Sequence, residues 1–148
     1  MKKYISGICF MMFAASMSLT SCNQDAEGSI YEQSQLAVSF ASTMQSEVVS
    51  ADNNGVINIP VYRSNGNGEA TVALTISGTG VEAGVLSLSS NDVKFADGET
   101  VAYAVVKFDL SKVSANPEKK DEAKISFADS KVVSISGVPS IDIEVYKK

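Results

Sequence analysis

The chain has 148 residues, 12 of them Lys or Arg and 17 Asp or Glu, for a formal charge of −5. That length suits one domain of ordinary size, and the acidic balance lacks the basic footprint that nucleic acid requires. Histidine and tryptophan are both absent, which removes the commonest general base and metal ligand and the strongest sugar-stacking ring.

Lys2 and Lys3 open the chain, and an uncharged, largely apolar run follows from Tyr4 to Leu19. The run is shorter than the ~20 apolar residues of a spanning helix and ends in small residues, which predicts a secretory signal peptide over residues 1–21. Its end, Leu19-Thr20-Ser21-Cys22, resembles the lipobox of bacterial lipoproteins. The resemblance implies cleavage before Cys22 and acylation of its thiol, with palmitate-type chains tethering the protein to a membrane. Cys9 would be lost with the signal, so no disulfide is expected within the mature chain.

Residues 22–35 are small and polar and read as a flexible linker, about 40 Å long if extended. Asp25 and Glu27 resemble the export signal that places Bacteroidetes lipoproteins on the outer face of the outer membrane, although they also serve as solubilising charge. The expected location is thus the outer membrane, lipid-anchored and surface-facing, with the periplasmic face left open.

From residue 36 to 148 the pattern is period-2 alternation. Leu36–Phe40, Val56–Arg63 and Thr71–Ser77 each set every second apolar residue toward a core. Pro60 lacks an N–H and is expected at an edge or kink. Val85–Leu88 and Val93–Phe95 are short, and Thr100–Phe108 is apolar on both faces, as if its outer side meets something. Ala123–Phe127 and Ile141–Val145 complete the set, with Pro117–Glu122 read as a charged loop. Turn residues separate them, as at 52–55, 64–68, 77–80 and 97–98. Seven or eight short strands without intervening helices predict a single all-β, antiparallel sandwich.

Val56-Ile57-Asn58-Ile59-Pro60-Val61-Tyr62-Arg63-Ser64-Asn65-Gly66, then Gly68–Leu74, then Val93-Lys94-Phe95-Ala96-Asp97-Gly98-Glu99-Thr100 stand in order. Together they resemble the Calx-β family, an immunoglobulin-like sandwich, over about Leu36 to Val145. Its regulatory members imply calcium, held by loop acids at one end of the sandwich. Glu47, Asp109 and Asp129 fall near such places here, but Leu110 stands where a second aspartate would follow Asp109. A calcium site needs six to eight oxygens at one point, so solvated loop acids are the favoured reading and no cofactor is expected.

Catalysis has no visible machinery. No histidine exists to activate a serine, and the acid pairs Asp121-Glu122 and Asp97/Glu99 sit at turns. Non-catalytic binding is therefore the expected function. Tyr62, Arg63 and Tyr103, expected to point outward, could stack on and hydrogen-bond a glycan, with Asn65 and Asn67 in the next loop. The alternatives are a structural subunit packing its Val101/Val105 face on a partner envelope lipoprotein, and a calcium-binding adhesion module.

Overall fold

The computed structural model describes residues 36–50, 55–116 and 118–147. The signal peptide, the lipobox, Cys22 and the linker lie outside the described residues, as do positions 52–54 of the first turn.

Two sheets face each other across one core. The first has the order β1 (Val38–Phe40), β3 (Val56–Arg63), β7 (Val101–Phe108), β5 (Leu86–Leu88). The second runs β2 (Met44–Val48), β9 (Ser140–Tyr146), β8 (Asp121–Phe127), β4 (Ala70–Ser77), β6 (Asp92–Phe95). Alternation builds both inner faces. Ile57, Ile59 and Val61 of β3 and Ala102, Ala104 and Val106 of β7 meet Val72 and Leu74 of β4, Ile125 of β8 and Ile143 of β9, all buried. Phe40 and Phe127 stack between the sheets with ring centroids 4.4 Å apart. Such a pair contributes about 1 kcal/mol beyond its buried area.

The described residues form nine strands rather than seven or eight, and the second sheet is mixed. The added strand, β2, pairs parallel with β9, Met44 opposite Asp142 and Val48 opposite Tyr146. Gln45 and Glu47 lie opposite the inward Ile143 and Val145, and the Gln45 amide donates to Glu47 at 2.8 Å. Polar residues thus occupy this edge strand's inner side, a device that discourages further strand addition.

Pro60 sits in a strand paired on both sides, yet the expectation of an edge holds locally. β1 pairs with β3 only from Val61 to Arg63, so β3 is an edge at Pro60. The Arg63 N–H bonds Thr100 on the β7 side and the Ser64 N–H bonds Ala37 on the β1 side. By alternation the N–H that Pro60 lacks would face the uncovered side.

The turn at Ser77–Gly80 opens a one-turn helix, α1 (Thr79–Glu82). Gly78, at φ 129, lies so close to β8 that a Cβ would meet the Glu122 carbonyl at 2.6 Å. The charged loop before β8 is shorter than expected: Asp121 and Glu122 already belong to the strand, and Asp121 is buried with its carboxylate facing the Ser114 N–H at 3.4 Å.

Candidate functional site

The outer face of the four-stranded sheet follows from the register of its two central strands. Tyr62 lies opposite Val101, Pro60 opposite Tyr103, Asn58 opposite Val105, and Val56 opposite Lys107. Ser39 extends the first row beyond Tyr62, and Ser87 extends the last beyond Lys107. Rows of this kind are about 7 Å apart along the strands and columns about 4.8 Å apart. Tyr62 and Tyr103 are therefore diagonal neighbours, at the ~7–8 Å that cross-strand diagonals span.

Both tyrosines are open, Tyr62 at 44% and Tyr103 at 59% of full exposure. Val101 is exposed and Pro60 and Val105 are half-buried. Among the described residues, the apolar outer side of Thr100–Phe108 is thus uncovered. None of the ten positions carries a carboxylate, and Lys107 is the one charge among them.

Arg63 is not part of this face. It falls in the inward series with Ile57, Ile59 and Val61 and is 5% exposed, which corrects the expectation that it points outward. Its Nε donates to the Glu99 carbonyl at 2.6 Å, and its Nη2 lies 2.9 Å from each of the Gly66, Gly68 and Ala96 carbonyls. The guanidinium also lies over the Phe95 ring, 5.1 Å from its centroid. A planar fork with five donors suits this task, because it reaches carbonyls of two loops at once. Further bonds tie the same loops: Gly98 N–H to the Gly66 carbonyl, Gly68 N–H to Asp97, and Ala96 N–H to Glu99. Gly98 takes φ 85, the positive value the Asp97-Gly98 turn requires. The motif Phe95–Glu99 is therefore a corner brace, in which the Glu99 carboxylate accepts the Ala96 N–H and the Glu99 carbonyl accepts from Arg63.

Asn65 lies in that braced loop and accepts the Asn67 N–H at 2.9 Å. It adjoins the Tyr62 end of the face without belonging to its rows.

The three candidate calcium ligands are not brought together. Glu47 is level with Val145 and Asp121, at the start of β8. Asp129 lies beyond the opposite end of β8 and caps a short 3₁₀ turn (Ser130–Val132) by accepting the Lys131 N–H. Asp109 accepts from the Ser111 hydroxyl at 2.6 Å and backbone at 3.0 Å, with Lys112 Nζ at 3.6 Å. The Ser111 hydroxyl, then its N–H, hold the Asp109 carboxyl below the usual range. Among the described residues no three acid, histidine or cysteine side chains converge on one point.

The outer face of the five-stranded sheet is chemically different. A shallow hollow of about 430 Å³ there is lined by Met44, Thr79, Glu122, Lys124, Asp142 and Glu144, among others. Its charges largely satisfy one another: Lys124 lies 3.6 Å from Asp142, and Glu144 takes Lys120 and, at 2.7 Å, the Ser46 hydroxyl.

No family model matches the chain, and no curated protein matches it in sequence. Its likeness is to solved structures. It is similar to a candidate carbohydrate-binding protein of Bacteroides ovatus, at TM-score 0.52 and 17% identity, over 75% of this chain and 37% of that one. It is also similar to calcium binding domain CBD12 of CALX1.1, at TM-score 0.55 and 14% identity, over 76% of this chain and 46% of that one. CBD12 from CALX1.2 gives the same TM-score and identity over 76% and 45%. The chain spans less than half the length of each of these structures. At such identities the likeness is one of fold, and the fold is the Calx-β-like sandwich that the Val56–Arg63 and Val93–Thr100 motifs suggested.

Proposed function

We propose that this protein is a non-catalytic, lipid-anchored binding module of the bacterial envelope, and that it captures glycan on the outer face of its four-stranded sheet. The observation that carries the reading is the pair Tyr62 and Tyr103, exposed on adjacent strands of a face without carboxylates. Tyrosine offers a ring for the C–H face of a sugar and a hydroxyl for its oxygens. Size favours a glycan over a protein partner. Two strands of eight residues flanked by two of three give this face ten outward positions of about 7 by 4.8 Å each, roughly 340 Å², against the ~800 Å² that each side of a standard protein interface buries. The likeness to a candidate carbohydrate-binding protein of Bacteroides ovatus supports the same reading. Cys22, with its lipobox, supplies the anchor.

The test is a thermal melt of the protein against a panel of polysaccharides, with and without calcium. A ligand that binds only the folded form raises the midpoint by mass action. The expected result is a shift with a glycan that vanishes in Tyr62→Ala and Tyr103→Ala. A shift that survives both substitutions would move the site elsewhere, and a shift with calcium alone would favour the adhesion module.

A further inference from the structure

We infer that the ligand of the Tyr62/Tyr103 face is an internal stretch of a long, uncharged polysaccharide lying across the strands' rows, and neither a small sugar nor a polyanion. This rests on the glycan reading above and narrows it to one chemical class.

The first argument is shape. Among the described residues, hollows of about 430, 320 and 240 Å³ are lined by residues outside this face. The first is on the opposite sheet, and the others flank Glu69, Ala70 and Thr71. The face itself is the pleated surface of paired strands. A single sugar on such a surface keeps one side in water and touches one ring. Useful affinity then requires several weak contacts made by one connected chain, which raises the effective concentration of each successive sugar. Tyr62 and Tyr103, displaced from each other both along and across the strands, offer two such contacts in sequence.

The second argument is charge. The chain carries 17 acids against 12 bases, so its field repels polyanions. Lys107 is the single cation of the face, and it lies two rows from Tyr103, about 14 Å along β7. One exposed lysine at that distance, screened over about 8 Å at physiological salt, does not offset the repulsion. A neutral polymer meets no such penalty, and the amide of Asn58 and the hydroxyl of Ser87 offer it neutral hydrogen-bonding partners.

The experiment uses the full-length chain in a detergent without a sugar headgroup. Its probes are a neutral polymer panel (β-glucan, xylan, starch), oligomers of one, two, four and six sugars from whichever polymer binds, and polygalacturonate. Affinity should climb about ten-fold or more from the disaccharide to the hexasaccharide as successive contacts engage. It should stay within about two-fold between low and high salt and in Lys107→Gln, because no ion pair carries the binding. A monosaccharide that competes as well as the hexasaccharide would overturn the inference. So would polygalacturonate binding more tightly than every neutral polymer, with loss in high salt or in Lys107→Gln. In either case, sensitivity to Tyr103→Ala keeps the underlying glycan reading. Failure of every polymer and oligomer to bind would remove both.

Discussion

Tyr62 and Arg63 are consecutive in the chain and belong to two different regions. Tyr62 opens onto a bare sheet face, while Arg63 is sealed into the corner where two loops and the Phe95 ring converge. The period-2 geometry of one strand separates them: one residue's step exchanges solvent for core. Chemical type misleads here, since the cation is the internal brace and the half-apolar tyrosine is the exposed group. The corner is tied together by hydrogen bonds among its own loops. The face presents its two tyrosine rings on the open side of paired strands.

The comparison breaks first at Arg63. Arg63→Ala leaves the carbonyls of Gly66, Gly68, Ala96 and Glu99 without their shared donor, and urea unfolding should show a loss of about 3–5 kcal/mol. Arg63→Lys should recover less than half of it, because a single ammonium cannot span both loops as the planar fork does. If the lysine variant melts with the native protein, the corner is held by charge alone and the fork geometry is irrelevant.

The same corner predicts a smaller loss at its turn. Gly98 has φ 85, but nothing lies within 4 Å of a Cβ built there. Gly98→Ala should therefore cost backbone strain and no clash, about 1–2 kcal/mol by the same unfolding measurement. A loss as large as that of Arg63→Ala would mean that the substitution dismantles the Gly98–Gly66 hydrogen bond and the brace with it.

How far the sequence made this legible differs between the regions. Alternation located eight of the nine strands, and the Val56–Arg63 and Val93–Thr100 motifs pointed to the right sandwich. The same alternation, continued one step past Val61, puts Arg63 inside. A surface expectation for a charged residue overrode it, because the four carbonyls that satisfy the guanidinium come from loops 3 to 36 positions away. β2 was not legible for a related reason. Met44-Gln45-Ser46-Glu47-Val48 has no inward apolar series, and its strand conformation depends on a partner, β9, nearly a hundred residues on. Tyr62, Pro60 and Tyr103 were legible as outward residues, but their shared rows required the β3–β7 register. Asp129 looked equivalent to Glu47 and Asp109 only until the direction of β8 put it at the other end.

On the open side the expected effect on stability is slight and the effect on binding is large. Tyr62→Ala and Tyr103→Ala should each cost under about 1 kcal/mol in unfolding, as substitutions at exposed positions do. Both should abolish the polysaccharide-induced rise in melting midpoint. A stability loss rivaling that of the corner would make the tyrosines a packing layer, and a retained midpoint shift would clear them of any part in binding.

The smallest effect belongs to the opposite sheet, whose outer face is laced by ion pairs where the tyrosine face has none. The Lys120 hydrogen bond, then that of Ser46, holds the Glu144 carboxyl below its ordinary 4.5, and Glu144 in turn holds Lys120 above 10.5. A lowered carboxyl stabilises the folded state above its unfolded value, and that contribution fades as pH falls through the lower folded one. The raised lysine contributes fully below its unfolded value and fades as pH climbs through the higher folded one. Between these limits the pair is intact. Because the Lys120 end of the pair is open to solvent, Glu144→Gln should lower the neutral-pH midpoint only slightly, and the difference from the native protein should shrink on acidification and in high salt. A gap that persists at pH 2 cannot come from the ion pair and would assign Glu144 a packing role between β2 and β8. A contribution this weak and this conditional fits a face whose charges are satisfied largely among themselves.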